Sequence, residues 1–330
     1  MDEPALDEDG LIARVFAPLA TAAGADALGD DAATFLAGSE DIVVTSDALA
    51  AGVHFFADDP PEAIAAKALR VNLSDLAAKG AEPFAYLLAL ALGEGWSASW
   101  AERFAASLRS DHARYGVTLL GGDTLRASPG GGTTIAITAL GRVPHGRIVR
   151  RRSARPGEII TVTGTIGDAA LGLLCRLGTD GAPFGLDAEN VAALREAYLW
   201  PDPPVEAWRA VQRHAMAAMD VSDGLVGDLR KLCRTAAIGA RIEADSVPLS
   251  PAVRAAVENH PAAFDKALTG GDDYQILATL RPSKVEAYMA ELAELGLSAT
   301  VIGEIVETPG LSIRRRGVPI DITDGRFQHF

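Results

Sequence analysis

Two hydrophobic periods alternate along this chain. Ala, Leu and Val recur at helical spacing over residues 61–79, and comparable helix-period runs cover 11–23 and 98–115. Between them lie strand-like stretches at 42–45, 84–92, 117–120 and 133–140, the last preceded by a Ser-Pro-Gly-Gly-Gly turn. A basic run over 147–155 ends in Pro156-Gly157, a break that places a domain boundary between residues 150 and 151. Beyond it the pattern predicts strands at 158–163, 240–243, 275–279, 300–305 and 311–315, with helices at 168–177, 205–217, 224–237 and 284–295. Strands and helices are mixed in both halves. The expected class is therefore α/β (α+β), with domains 1–150 and 151–330, each a mixed sheet packed with helices. No fixed-period repeat is present, which argues against a solenoid.

Composition narrows the function. The 330 residues are 48% hydrophobic and 22% charged, the balance of a folded globular chain with room for two cores. The longest apolar stretch, 86–92, is far shorter than the roughly 20 residues of a spanning helix, and the start of the chain is acidic where a secretory signal is basic. A soluble, cytoplasmic protein is expected. Cys175 and Cys233 have no partner at metal-ligand spacing, so neither a disulfide scaffold nor structural zinc is expected. A net charge of −14 argues against nucleic acid, whose backbone rewards clustered Lys and Arg. The same acidity repels a phosphate substrate unless divalent cations lie between the two.

Short Asp-containing segments recur where strands are expected to end or helices to begin. They are Gly29-Asp30-Asp31-Ala32-Ala33, Thr45-Ser46-Asp47, Asn72-Leu73-Ser74-Asp75, Gly121-Gly122-Asp123-Thr124, Asp220-Val221-Ser222-Asp223-Gly224 and Gly270-Gly271-Asp272-Asp273-Tyr274. Any one of them is ordinarily a turn or a helix cap. Together they supply the oxygen donors that magnesium takes, a few carboxylates alongside substrate phosphates. No Gly-x-x-x-x-Gly-Lys-Ser/Thr, no Gly-x-Gly-x-x-Gly after a strand and no His-Arg-Asp loop with a matching Asp-Phe-Gly occurs. Nucleotide binding is therefore expected to run through carboxylate-held metals, with the scattered aspartates, Asp31, Asp47, Asp75 and Asp123 above all, converging in space.

Four stretches carry a resemblance: Thr-Ser-Asp-Ala-Leu-Ala-Ala-Gly-Val-His-Phe at 45–55, Lys-Ala-Leu-Arg-Val-Asn-Leu-Ser-Asp-Leu-Ala-Ala at 67–78, Met-Asp-Val-Ser-Asp-Gly-Leu at 219–225 and Phe-Gln-His-Phe at 327–330. In this order they resemble the thiamine-monophosphate kinase family, whose superfamily also holds aminoimidazole ribonucleotide synthetase and selenophosphate synthetase. The resemblance runs nearly end to end. It implies the two-domain aminoimidazole ribonucleotide synthetase-like fold. The first domain would bind ATP and magnesium and dimerise, and the second would complete the nucleotide and thiamine phosphate site. It also implies that Asp30, Asp31, Thr45, Ser46, Asp47, Asp75, Asp123, Asp220 and Asp223 surround several Mg2+ ions. Gly122, Asp123, Arg151 and Ser222 would contact ATP, and His54, Asp272 and Phe327 would meet thiamine monophosphate. A homodimer is implied as well.

Plainer readings stand beside these. Taken alone, His54 reads as a structural histidine, and Arg151 belongs to a run with Arg150 and Arg152 that suits a solvated face. Phe327 suits either a core position or a stacking face for the thiamine ring. Asp168 reads as a helix N-terminal residue helped by the dipole, and Asp228 as a solvent-facing helix position. Three positions depart from the family pattern: Asp272 stands where Glu is common, Gln328 where Asp is common, and Ser46 replaces Thr while keeping the hydroxyl.

The activity implied is transfer of the γ-phosphoryl group of ATP to thiamine monophosphate, giving thiamine diphosphate. With a second phosphate pKa of about 6 the acceptor is already largely dianionic at neutral pH, so no general base is expected. The rival readings are another enzyme of the superfamily and a nucleotide sensor without turnover. Against selenophosphate synthetase, no Cys or Lys occurs in the first forty residues. Against the hydrogenase-maturation relative, the sequence ends in His329-Phe330 where that relative has a functional Cys.

Overall fold

In the computed structural model, which describes residues 12–21, 38–178 and 184–322, the strands of the first half pair into one four-stranded sheet. The elements are β1 (Glu40–Ala50), α1 (Pro61–Ala78), β2 (Glu82–Leu92), α2 (Ala98–Tyr115), β3 (Thr118–Arg126) and β4 (Thr134–Pro144). The strand order is β1-β4-β2-β3, with β2 and β3 parallel and the other pairs antiparallel. Within the predicted helix over 11–23, the described residues form a π turn, Ile12–Phe16, and a 3-10 turn, Ala17–Leu19. Pro18 has no N–H to continue a regular helix there.

Three of the Asp-containing segments lie inside elements rather than in turns. Thr45-Ser46-Asp47 is mid-strand in β1, Gly121-Gly122-Asp123-Thr124 lies within β3, and Asn72-Leu73-Ser74-Asp75 is inside α1. The cause is pairing: β4 matches β1 residue by residue from Glu40 to Ala50, so this backbone is satisfied by a ladder.

The sheet has two unlike faces. Register sets Thr45, Ala139 and Tyr86 in one row across β1, β4 and β2, and paired residues share a face. On that face the Tyr86 hydroxyl meets His112 Nε2 of α2 at 2.8 Å, and the Thr45 hydroxyl reaches Asp75 of α1. The two helices thus cover it. Arg70 of α1 grips Asp111 of α2 in a fork, with 2.9 and 2.8 Å bonds, and Asp111 is buried. Residues of the alternate rows point the other way, and there Val44, Leu87 and Leu125 are 57%, 40% and 50% exposed.

The second half builds β5 (Ile159–Thr163), α3 (Asp168–Leu177), α4 (Ala188–Leu199), α5 (Trp208–His214), β6 (Ala215–Asp220), α6 (Leu225–Ala236) and β7 (Gly239–Glu243). It continues with α7 (Pro251–Asn259), α8 (Ala263–Thr269), β8 (Ile276–Leu280), α9 (Val285–Glu294), β9 (Ala299–Val306), β10 (Gly310–Arg315) and β11 (Val318–Ile320). The sheet order is β11-β10-β7-β9-β5-β8-β6, with only β7 and β10 parallel. Alternate residues feed two cores. Met219 and Leu277 pack with Leu225 and Leu229 of α6, whereas Ala218, Ile276 and Ala278 pack with Val211 of α5 and Tyr288 and Leu292 of α9.

The predicted helix over 205–217 stops at His214, because Ala215 and Ala217 pair with Leu280 and Thr279 of β8. Tertiary pairing overrides the helix preference of alanine. Helices α4, α7 and α8 were not predicted, although the first two carry cap signals: Asp187 accepts from Asn190 N at 2.8 Å, and Ser250 from Val253 N at 3.1 Å.

By contacts the chain divides into residues 1–76 with 81–146, and 77–80 with 147–330. Among the described residues no helix is long and apolar enough to cross a membrane. Cys175 and Cys233 are free and buried, and burial pushes the Cys233 thiol up to about 11.

Candidate active site

In the first unit the polar residues gather along the seam between β1 and α1. Thr45 and Asp47 are two apart on a strand and face the same way, while Asn72 and Asp75 are three apart on a helix and share a side. The Thr45 hydroxyl donates to Asp75 Oδ2 at 2.6 Å, and Asp47 N donates to Asn72 Oδ1 at 3.0 Å. The Asn72 amide is itself fixed by a 3.0 Å bond from Nδ2 to Ala68 O. Just past β1, the chain turns back at Gly52, whose N–H donates to Phe55 O at 2.8 Å. This turn places His54 so that its Nδ1 accepts from Ala50 N at 3.1 Å, leaving the ring proton on Nε2.

Ser46 and Asp123 belong to the other face. Asp47 lies in the row of Ile137, Leu88 and Gly122, whereas Asp123 lies in the next row with Ala89, Ala136 and Ala48. β1 and β3 are the sheet edges, separated by two strands, so Asp47 and Asp123 are about 14 Å apart and project from opposite sides. Within one copy of the chain the register therefore does not bring Asp123 to Asp47 and Asp75. Ser46 Oγ bonds instead to the Thr138 hydroxyl at 2.9 Å. Gly122 is required by a close approach: a β-carbon there would fall 1.7 Å from Leu88 O.

In the second unit two loops are joined into one piece. Val221 N donates to Gln275 O (2.8 Å), Tyr274 N to Val221 O (2.8 Å) and Asp272 N to Ser222 O (2.9 Å). A β-carbon on Gly271 would lie 2.0 Å from Ser222 O, so only glycine permits this contact. Asp220 is buried at the end of β6, and the loop passes through Ser222 and Asp223 into α6.

Beneath this loop lies Asp228, which is completely buried rather than solvent-facing. Its Oδ2 accepts from the backbone N–H of both Ser222 and Asp223, at 3.0 and 2.9 Å. Lys231, one helical turn further, pairs with Asp223 and sits 3.2 Å from Asp228 Oδ1. Burial pushes the Asp228 carboxyl up, partly offset by Lys231. For Lys231 burial opposes the charge, but the two carboxylates outweigh it and hold the ammonium above its usual range.

On the other loop, Asp273 turns inward and accepts from Gly167 N at 2.8 Å and Ala169 N at 3.4 Å, closing the start of α3. Burial raises its carboxyl well above the usual range. Asp168 is the first residue of α3, as expected, and accepts the Thr165 hydroxyl at 2.7 Å. Asp272 and Tyr274, on either side of Asp273, both have left-handed backbones, at φ 72 and 51. For a non-glycine residue each costs about 1 kcal/mol or more.

Among the three neighbouring arginines the structure separates Arg151. Arg150 and Arg152 are exposed, whereas Arg151 Nε is buried with no hydrogen-bond partner among the described residues. The turn Arg151–Ser153 packs against β6 and α6, the elements that flank the Ser222–Asp223 loop.

The donors along the β1–α1 seam are hydroxyl and carboxylate oxygens, the type magnesium takes. Among the described residues no group of three or more His, Cys, Asp or Glu side chains is gathered to hold a metal. Asp30, Asp31, Phe327 and Gln328 lie outside the described residues. Sequence reasoning missed Lys231 and the part played by Tyr274. The Asp228-x-x-Lys231 spacing was the available signal for the first, and nothing in the pattern marks the second.

Comparison with known proteins gives the family. The model of AIR synthase related protein, N-terminal domain, matches residues 29–143, and that of the C-terminal domain matches 155–316. A thiamine-monophosphate kinase of Caulobacter vibrioides is 38% identical, over 96% of this chain and 88% of that protein. The crystal structure of thiamine-monophosphate kinase from Stenotrophomonas maltophilia superposes with a TM-score of 0.79 at 37% identity, covering 89% of this chain and 91% of that one. AaThiL complexed with AMPPCP and TMP gives a TM-score of 0.75 at 30% identity, with 92% and 91% covered. With relatives of this identity spanning nearly its whole length, the chain belongs to the thiamine-monophosphate kinase family.

Proposed function

We propose that this protein transfers the γ-phosphoryl group of ATP to thiamine monophosphate, producing thiamine diphosphate and ADP, with Mg2+ as the cofactor. The observation that carries this reading is the joining of the Asp220–Gly224 and Gly270–Gln275 loops by three backbone hydrogen bonds. One loop bears the residues assigned to nucleotide and metal, Asp220, Ser222 and Asp223, and the other bears Asp272, assigned to the thiamine substrate. A relative over 92% of this chain, AaThiL, forms a complex with AMPPCP and TMP, which supports the same pair of substrates.

The reaction asks for positioning and charge neutralisation more than covalent chemistry. When bound, magnesium supplies that neutralisation between the two anionic phosphates. Thr45, Asp47 and Asp75 would hold it on the first unit, with Asp30 and Asp31, and Asp220 and Asp223 on the second. Ser46 and Asp123, on the open face of the first sheet, are also assigned to metal, and Gly122 and Asp123 to the nucleotide. Arg151, whose buried Nε has no partner among the described residues, suits a phosphate. His54, Asp272 and Phe327 are assigned to thiamine monophosphate. The first domain would thus bind nucleotide and metal, and the second would complete the site. A homodimer is supported by the open face, where Val44, Leu87 and Leu125 stand exposed.

The test is direct. Purified protein with ATP, Mg2+ and thiamine monophosphate should release ADP and form thiamine diphosphate in equal amounts. ADP release with another acceptor but none with thiamine monophosphate would favour a different enzyme of the superfamily, and no release with any acceptor would favour a nucleotide sensor.

A further inference from the structure

Among the described residues four non-glycine residues have a positive φ: Ala237, Asp272, Tyr274 and Arg316. Ala237 ends α6 and Arg316 sits in the turn between β10 and β11, both ordinary places for this conformation. Asp272 and Tyr274 are different, because two such residues share one loop with a single residue between them. A bulky aromatic residue rarely adopts this backbone, and such outliers persist only where surrounding contacts enforce them. Here Asp273 is pinned inward by Gly167 N, and the flanking N–H groups are pinned to Ser222 O and Val221 O. The consequence is that the Tyr274 hydroxyl donates to Asp272 Oδ1 at 2.9 Å.

We propose that Tyr274 is a positioning residue for the thiamine substrate: the strained loop exists to hold its phenol against Asp272, fixing the direction of that carboxylate. The inference rests on the assignment of Asp272 to thiamine monophosphate. It accounts for how a side chain one methylene shorter than the glutamate common in the family is directed, since the phenol O–H is a donor set against one of the two carboxylate oxygens.

A double-mutant cycle on the full chain tests it, with thiamine monophosphate and ATP varied separately. Y274F should raise KM for thiamine monophosphate about tenfold, the low end for losing one hydrogen bond to a carboxylate, with KM for ATP and kcat changed less than about twofold. D272A should raise the same KM further, and the Y274F/D272A protein should be no worse than D272A alone. An unchanged KM for thiamine monophosphate in Y274F overturns the proposal. So does an equal rise in KM for ATP, which would mean a distorted loop, or multiplying effects in the double variant, which would mean that Tyr274 meets substrate independently. Wild-type protein that does not turn over thiamine monophosphate would sink the functional reading itself, whereas normal wild-type turnover with an indifferent Y274F sinks only this inference.

Discussion

The hydroxyl of Thr45, mid-strand in β1, donates to the carboxylate of Asp75, mid-helix in α1, across 2.6 Å. A short hydroxyl-to-carboxylate bond of this kind orients the acceptor and leaves its second oxygen for the proposed metal. Asp75→Asn preserves the volume and removes the charge. We expect activity to fall by about 10²–10³-fold with thermal stability nearly unchanged. Thr45→Val removes the bond that orients Asp75 and the hydroxyl assigned to the metal, and should cost about 10–100-fold, together with a higher magnesium requirement. Activity titrated against magnesium checks both, and an Asp75→Asn protein with normal turnover would remove this carboxylate from the site.

Asp228 is a fully buried carboxylate holding two backbone N–H groups and facing Lys231. Asp228→Ala leaves two donors and a partly buried ammonium without it, and should destabilise the second unit by about 3 kcal/mol. Asp228→Asn keeps an oxygen acceptor and should lose less. Amide exchange at Ser222 and Asp223 should quicken in the alanine variant and stay slow in the asparagine variant. Equal protection in both would show that the loop is held by other contacts.

His112, against Tyr86 in the first unit, gives a pH signature. Burial, helped by Arg109, lowers its pKa to about 4, against the ordinary 6.5. Between these values the unfolded chain binds more protons than the folded one, so stability falls as pH falls through this window and recovers as pH rises. Allowing for partial exposure, the loss between pH 7 and pH 5 is about 1–2 kcal/mol. Urea midpoints at the two pH values should differ less in His112→Gln than in wild type, and an identical difference would refute the assignment.

The open face of the first sheet supplies a test of assembly. A charge introduced at Leu87 or Val44 would be buried unpaired if a second copy sits there. Leu87→Glu should convert the protein from dimer to monomer in sedimentation velocity, with the fold retained by circular dichroism. A wild-type protein that is monomeric at micromolar concentration would contradict the proposed dimer.

Periodicity and punctuation determined much of this protein. Helical spacing over 61–79 and 98–115 appears as α1 and α2, and the strand signals over 84–92 and 311–315 appear as β2 and β10. The motifs around Asp75, Ser222 and Asp272 marked segments that carry the polar groups of the seam and the joined loops. Such features are local, set by residues within a few positions of one another.

What only the tertiary structure decided is non-local. Thr45-Ser46-Asp47 reads as a turn until β4 pairs with it, and Ala215–Ala217 reads as helix until β8 does. The row assignments that set Asp47 and Asp123 on opposite faces depend on strand order, which a period of two cannot specify. Asp228 became a buried anchor, and Tyr274 a partner of Asp272, because a loop some fifty residues away in sequence folds against the start of α6. Hydrophobic spacing fixes which side of an element is buried, but the partner it meets there, and so the environment of each charge, is fixed only when distant segments pack.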